Sequence, residues 1–352
     1  MRMTSRERLL AAMRFEKVDR IPVAPFGLGA LPPDSAIAGK LIRTTDPFVE
    51  AAVAGDCFWG SNCELVASEE GDMTVYIRKT PRGELRSVNR RTKITSACVD
   101  YFLKTPEHAE KFFSVDYLPP QLDSSGFHRV KQEIGEQGLV LCPIPDAVLL
   151  PAILLSPEDF CLWWADYPDL MLKLTNTAAR RLNDWVVRLC RAGVDAFRII
   201  GGEYASVQLG PKGFDALVLE QDRELVDIIH SHGAIAYYHN HGPVMVFVSR
   251  FHAIGMDFLD PLEAPPWGDA DLRAARADCG DKVAFVGNLD DMEIIDKLSR
   301  KEVEAIAIER MEAAGDRGFV LGGTASGTYT ERAARNFIAL AELSRKISAR
   351  GR

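Results

Sequence analysis

From about residue 139 onward the chain repeats one unit: an amphipathic helical stretch, a glycine, an apolar run of four to six residues, then polar or glycine-rich residues. The clearest runs span 195–200, 234–238, 256–259, 282–286 and 318–321. Gly193, Gly233, Gly255, Gly280 and Gly315 precede them, where helix C-caps belong. Apolar runs without strict alternation describe strands buried on both faces, and helices between such strands imply a parallel sheet. Further candidates near 20–26, 51–57 and 139–144 bring the count to eight. The pattern predicts an α/β fold of the (β/α)8 TIM-barrel type. An open doubly wound sheet fits less well, because glycine pairs such as Gly322-Gly323 lack the G-x-G-x-x-G fingerprint of dinucleotide sites.

Ahead of the repeats, Thr4 followed by Glu7, Leu9, Leu10 and Met13 reads as a capping-box start to an N-terminal helical segment. Residues 72–95, turning at Pro81-Arg82-Gly83, predict a β-hairpin insertion. The whole of 1–352 is expected to form one barrel domain. A helix is expected over 223–232, with His230 and His232 as structural residues, and Trp163, Trp164 and Trp185 as helix packing.

A net charge of −8 without a stripe of Lys or Arg argues against nucleic acid and anionic membrane as partners. Apolar stretches stay well short of the roughly 20 residues that cross a bilayer. The seven cysteines are odd in number and contain no Cys-x-x-Cys pair. They read as reduced thiols, so with no secretory pattern at Met1–Glu7 the expectation is a cytoplasmic protein.

Parallel barrels carry their active sites on the loops after the strands. Here those loops read Gly201-Gly202-Glu203-Tyr204, His239-Asn240-His241-Gly242, Asp260-Pro261-Leu262-Glu263, Gly287-Asn288-Leu289-Asp290 and Gly322-Gly323-Thr324-Ala325-Ser326. His239 and His241 alternate at a strand end, so both imidazoles can reach one ion, and Glu203 and Glu263 are the carboxylate complements. Two imidazoles with carboxylate oxygen and an open position match catalytic zinc. The alternative is structural, with His239 bonded to a strand-end carbonyl and His241 solvated. Asp260 and Asn288 are candidate catalytic residues, and Phe26, Tyr204, Thr324 and Ser326 candidate substrate contacts.

The chain resembles the uroporphyrinogen decarboxylase superfamily, which includes corrinoid-linked methyltransferases on the same barrel. The resemblance is carried by Thr4–Ala12, Val18-Asp19-Arg20-Ile21-Pro22-Val23, His239-Asn240-His241-Gly242, 280–289 and the final strand and helix. True decarboxylases carry arginines after the first strand that bind substrate carboxylates, whereas this chain reads Phe26-Gly27-Leu28-Gly29-Ala30-Leu31-Pro32-Pro33 there. Porphyrinogen decarboxylation is therefore not expected. Thiol-methylating members hold zinc with a His-x-Cys segment and a later Cys. Here His241 replaces the first Cys and the Gly322-Gly323-Thr324 region lacks the second. The resemblance thus implies a zinc-assisted methyltransferase or O-demethylase, moving a methyl group between a small methoxylated or methylated donor and cobalamin carried by a separate, transiently bound corrinoid protein. A decarboxylase or other lyase, with Asp260 or His239 as proton donor, is the alternative, and a non-catalytic ligand-binding barrel the third. A homodimer is left open.

Overall fold

A computed structural model describes residues 3–93, 95–324 and 329–350. In chain order the strands are β1 (Val23–Ala24), β2 (Phe48–Glu50), β3 (Leu65–Glu70), β4 (Met73–Thr80), β5 (Gly83–Arg91) and β6 (Ser96–Asp100), followed by β7 (Leu139–Pro145), β8 (Ala196–Ile200), β9 (Ile235–His239), β10 (Phe258–Asp260), β11 (Ala284–Asn288) and β12 (Phe319–Gly322). Eight of them form a parallel sheet in the order β1-β12-β11-β10-β9-β8-β7-β2. The two ends of that order meet: Phe26 bridges Phe48 in parallel, and Asp46 N donates to Val23 O at 2.8 Å and Phe48 N to Pro25 O at 3.1 Å. The sheet is thus a (β/α)8 TIM barrel.

The expected glycines end their helices in positive φ: 87° at Gly193, 71° at Gly233, 84° at Gly255, 56° at Gly280 and 85° at Gly315. A side chain with Cβ is strained in that region, so glycine stops each helix and turns the chain into the next strand. The N-terminal helix, Ser5–Met13, carries the expected capping box, with Thr4 accepting from Glu7 N.

Two expectations need correction and one is extended. The second barrel strand is Phe48–Glu50 and not a run within 51–57. Pairing of Phe48, Val49 and Glu50 with Leu139, Val140 and Leu141 is all the barrel requires there, so Ala51-Ala52-Val53 continues apolar after the strand has ended. The insertion contains the expected hairpin as β4 and β5, paired antiparallel from Met73 with Arg90 to Thr80 with Gly83, and β3 and β6 extend it to a four-stranded antiparallel sheet, β3-β4-β5-β6. Strand β3 is exposed along its whole length, so it has no buried face to imprint alternation on the sequence. The helix expected over 223–232 runs Glu220–Ser231.

Inward-facing side chains fill the barrel as a core rather than a pore. Phe48, Tyr237 and Phe258 form its centre, with ring centroids 4.9 Å apart for Phe48–Tyr237 and 5.7 Å for both Phe48–Phe258 and Tyr237–Phe258. Leu9 and Ala12 of the N-terminal helix join this cluster and plug the end away from the loops. A buried ion network fixes that plug. Asp46 accepts from Arg8 Nη1 at 2.5 Å, Arg20 Nη1 at 2.7 Å and Val23 N at 2.9 Å. The motif Asp19-Arg20-Ile21-Pro22-Val23 that carries the resemblance is therefore part of the scaffold. Among the described residues no helix is long and apolar enough to cross a membrane.

Candidate active site

The site is assembled by strand parity and register. His239, Asp260 and Asn288 end β9, β10 and β11, and all three are buried. Because β9 and β10 pair His239 with Asp260, the Nδ1 of His239 lies 2.9 Å from Asp260 Oδ1. Burial opposes charge on Asp260, but His239, Arg198 and Tyr237 outweigh it and hold the carboxyl below its ordinary range. An ionised Asp260 can only accept, so Nδ1 of His239 donates the hydrogen bond and Nε2 is left as the ring nitrogen free to meet a bound molecule. Asp260 is therefore a poor proton donor.

Two residues on, His241 repeats the pairing with a different partner. Its Nδ1 is 3.0 Å from Glu263 Oε1, while Glu263 Oε2 accepts from Gly242 N at 2.8 Å. Burial works against an ionised Glu263, yet these two bonds outweigh it and lower its pKa. The hydrogen bond to Glu263 raises the pKa of His241, against desolvation and with help from Asp260 and Glu203. The His241 side chain is 40% exposed against 5% for His239. The rings stand perpendicular with centroids 4.4 Å apart. The two imidazoles thus differ: His239 is buried and held by Asp260, while His241 is more exposed and is the one whose protonated form is favoured.

The four residues expected to hold zinc are only partly brought together. His239, His241 and Glu263 are neighbours, and their donor types suit zinc. As placed, however, each imidazole engages its own carboxylate and both oxygens of Glu263 are taken. Among the described residues no group of three or more His, Cys, Asp or Glu side chains is disposed to hold a metal ion. The arrangement does not fit a preformed zinc site. The structural alternative is corrected too, since His239 bonds a carboxylate instead of a carbonyl and His241 is paired instead of merely solvated.

Glu203 lies on the helix Gly202–Gln208 after β8, with Oε2 buried and unpartnered. Tyr204 beside it is half-buried, its hydroxyl pKa raised by burial and by Glu203 and Asp146. Asn288 donates to Leu262 O at 2.7 Å and keeps Oδ1 buried without a partner. It lines a cleft of about 260 Å³ together with Glu263, Trp267 and Thr324. Phe26 packs under the guanidinium of Arg198, 4.3 Å from its ring centroid. Ser326 lies outside the described residues.

Sequence reasoning passed over two groups at the mouth. Arg198 faces inward from the middle of β8 and pairs with Glu50 at 2.8 Å. Its signal was a lone cation inside an apolar strand. Asp146 and Asp222 are fully buried behind the ends of β7 and β9. Burial pushes Asp222 up to about 7, against the hydrogen bond donated by Tyr238. Burial, with Asp222 and Glu203 nearby, raises Asp146 well above its ordinary value. No spacing rule relates these two carboxyls, which meet only in the folded chain.

Residues 129–347 match the family model described as uroporphyrinogen decarboxylase (URO-D). No curated protein sequence matches the chain. Among solved structures, a methyltransferase from Methanosarcina mazei aligns over 98% of this chain and 99% of its own, with 14% identity and a TM-score of 0.66. A B12-independent methionine synthase from a Shewanella species, in complex with selenomethionine, aligns over 94% of this chain and 98% of its own, with 11% identity and a TM-score of 0.47. The first of these likenesses is one of fold. With more than half of its length matched by that model, the chain belongs to the uroporphyrinogen decarboxylase (URO-D) family.

Proposed function

We propose that the chain is a methyltransferase that removes the methyl group from the oxygen of a small methoxylated compound and delivers it to a separate corrinoid protein. The observation that carries this reading is His241, half exposed at the mouth, held through Nδ1 by Glu263 and kept protonated to higher pH than an ordinary histidine. The methyltransferase name of the Methanosarcina structure is in keeping with it.

An ether oxygen is a poor leaving group unless it receives a proton as the bond to carbon breaks. Protonated His241 supplies that proton from Nε2. The methyl–oxygen bond breaks, its electron pair stays on oxygen, and the product leaves as an alcohol or phenol. The reduced corrinoid of the partner protein supplies the electron pair that bonds the methyl carbon. Glu263 fixes the His241 ring and stabilises its charge. His239, held by Asp260, accepts a hydrogen bond from the donor molecule and orients it, and Asn288 and Thr324 contact it along the 260 Å³ cleft. Such an encounter is transient, since the methylated partner must leave for its next reaction.

The test is a single-turnover assay of the purified chain with a panel of methyl ethers and reduced corrinoid protein, following product alcohol. Formation of the alcohol only when both components are present supports the proposal. Release of methanol or formaldehyde by the barrel alone overturns it.

A further inference from the structure

Arg198 places a guanidinium inside the barrel, in register with Pro143 of β7 and Tyr237 of β9, one inward step below His239. It is 7% exposed. A cation at that depth is costly unless its N–H groups are all paired. Here Nη1 donates to Glu50 Oε1 at 2.8 Å while Nε is buried with no partner. The planar fork of an arginine matches a carboxylate through two parallel bonds, so the present pairing leaves half of its recognition capacity idle. Phe26 lies 4.3 Å from the guanidinium carbon and fixes the plane of the fork. Glu50 is the looser half of the pair, with a side chain 36% exposed against 8% for Arg198.

We propose that Arg198 anchors a carboxylate of the substrate, with the methoxy group of the same molecule held above it against His239 and His241. The incoming carboxylate takes the idle donors and draws the guanidinium away from Glu50. A singly charged carboxylate suits the place better than a doubly charged phosphate, because Glu50, Asp260 and Glu263 already bring negative charge to the mouth. The inference rests on the mouth being the substrate site, and it names the substrates as small methoxylated carboxylic acids.

Calorimetric binding of methoxyacetate and para-methoxybenzoate, each against its neutral amide, tests the assignment without turnover. At least one acid binds about 10- to 100-fold tighter than its amide, the range for a charge-assisted bond in a shielded site. Arg198→Met abolishes the preference, and Glu50→Gln strengthens acid binding by removing the competitor. Equal binding of acid and amide, binding of neither, or a preference that survives Arg198→Met overturns the anchor. If circular dichroism shows Arg198→Met unfolded, Glu50→Gln decides, and unchanged or weaker acid binding overturns it. Absence of any acid preference in the parent chain with methyl transfer intact removes the anchor alone. Acid preference without methyl transfer removes the reaction alone.

Discussion

Asp260 and His239 end neighbouring strands in direct register, and that pairing sets Asp260 Oδ1 2.9 Å from His239 Nδ1 inside the barrel. The hydrogen bond selects the tautomer of the imidazole and fixes its plane, so the free nitrogen is presented in one orientation. Asp260→Asn removes the charge and puts the tautomer in doubt while keeping the volume. The variant is expected to fold and to lose methyl transfer by about 10²- to 10⁴-fold. Single-turnover rates, with circular dichroism as the folding control, check this, and a rate within a factor of about three of the parent would count against the role.

In the proposed reaction His241 sets the pH dependence. Its raised pKa keeps it a proton donor above the ordinary histidine value of about 6.5, so activity holds at low pH and falls as pH rises through the raised value. Glu263→Gln removes the first cause of the shift and moves that fall to lower pH. The same shift acts on stability: the contribution is fully present below the unfolded value and is lost as pH rises through the folded one. Rate profiles of parent and Glu263→Gln give the check, and coincident profiles would remove His241 as the acid.

Asp46 is a scaffold residue with large expected consequences. It is fully buried and joins Arg8, Arg20 and the backbone of Val23. Asp46→Ala leaves two arginines facing each other without their shared anion, for which a loss of about 3–5 kcal/mol is expected. A denaturation midpoint unchanged from the parent would show that the network relaxes without it.

Metal content separates the sequence expectation from the structure. The residue pattern matches catalytic zinc, whereas the folded side chains form two imidazole–carboxylate pairs and no three-donor group among the described residues. Protein purified without chelator is expected to hold zinc well below one per chain, and methyl transfer is expected to survive dialysis against chelator. Stoichiometric zinc that departs in His241→Ala would reverse this.

The barrel was legible because in each repeat a helical stretch stops at a glycine and an apolar run without alternation follows, as a strand buried on both faces requires. The site was legible in part for the same reason: loop-end position gathers His239, His241, Asp260, Glu263 and Asn288. What the sequence hides is pairing. Glu263 could be read as a ligand because nothing in its spacing shows that His241 Nδ1 and Gly242 N engage both of its oxygens. Arg198 hid inside a strand, where its inward parity becomes plain only once Ala196 and Tyr237 are seen in the barrel interior. The three-residue β2 is too short to show a period, and the exposed β3 lacks the burial that periodicity depends on.

The central claim is that the mouth of this barrel moves a methyl group from oxygen to a corrinoid, and the cobalt spectrum reads that event directly. Purified chain, free cob(I)alamin or reduced corrinoid protein, and a panel of methoxylated carboxylic acids are mixed without oxygen. The account predicts conversion of the reduced cobalt spectrum to that of methylcobalamin, dependent on the chain and on the methyl donor and abolished by His241→Ala. A spectrum unchanged across the panel, or conversion that proceeds equally with His241→Ala, would contradict it.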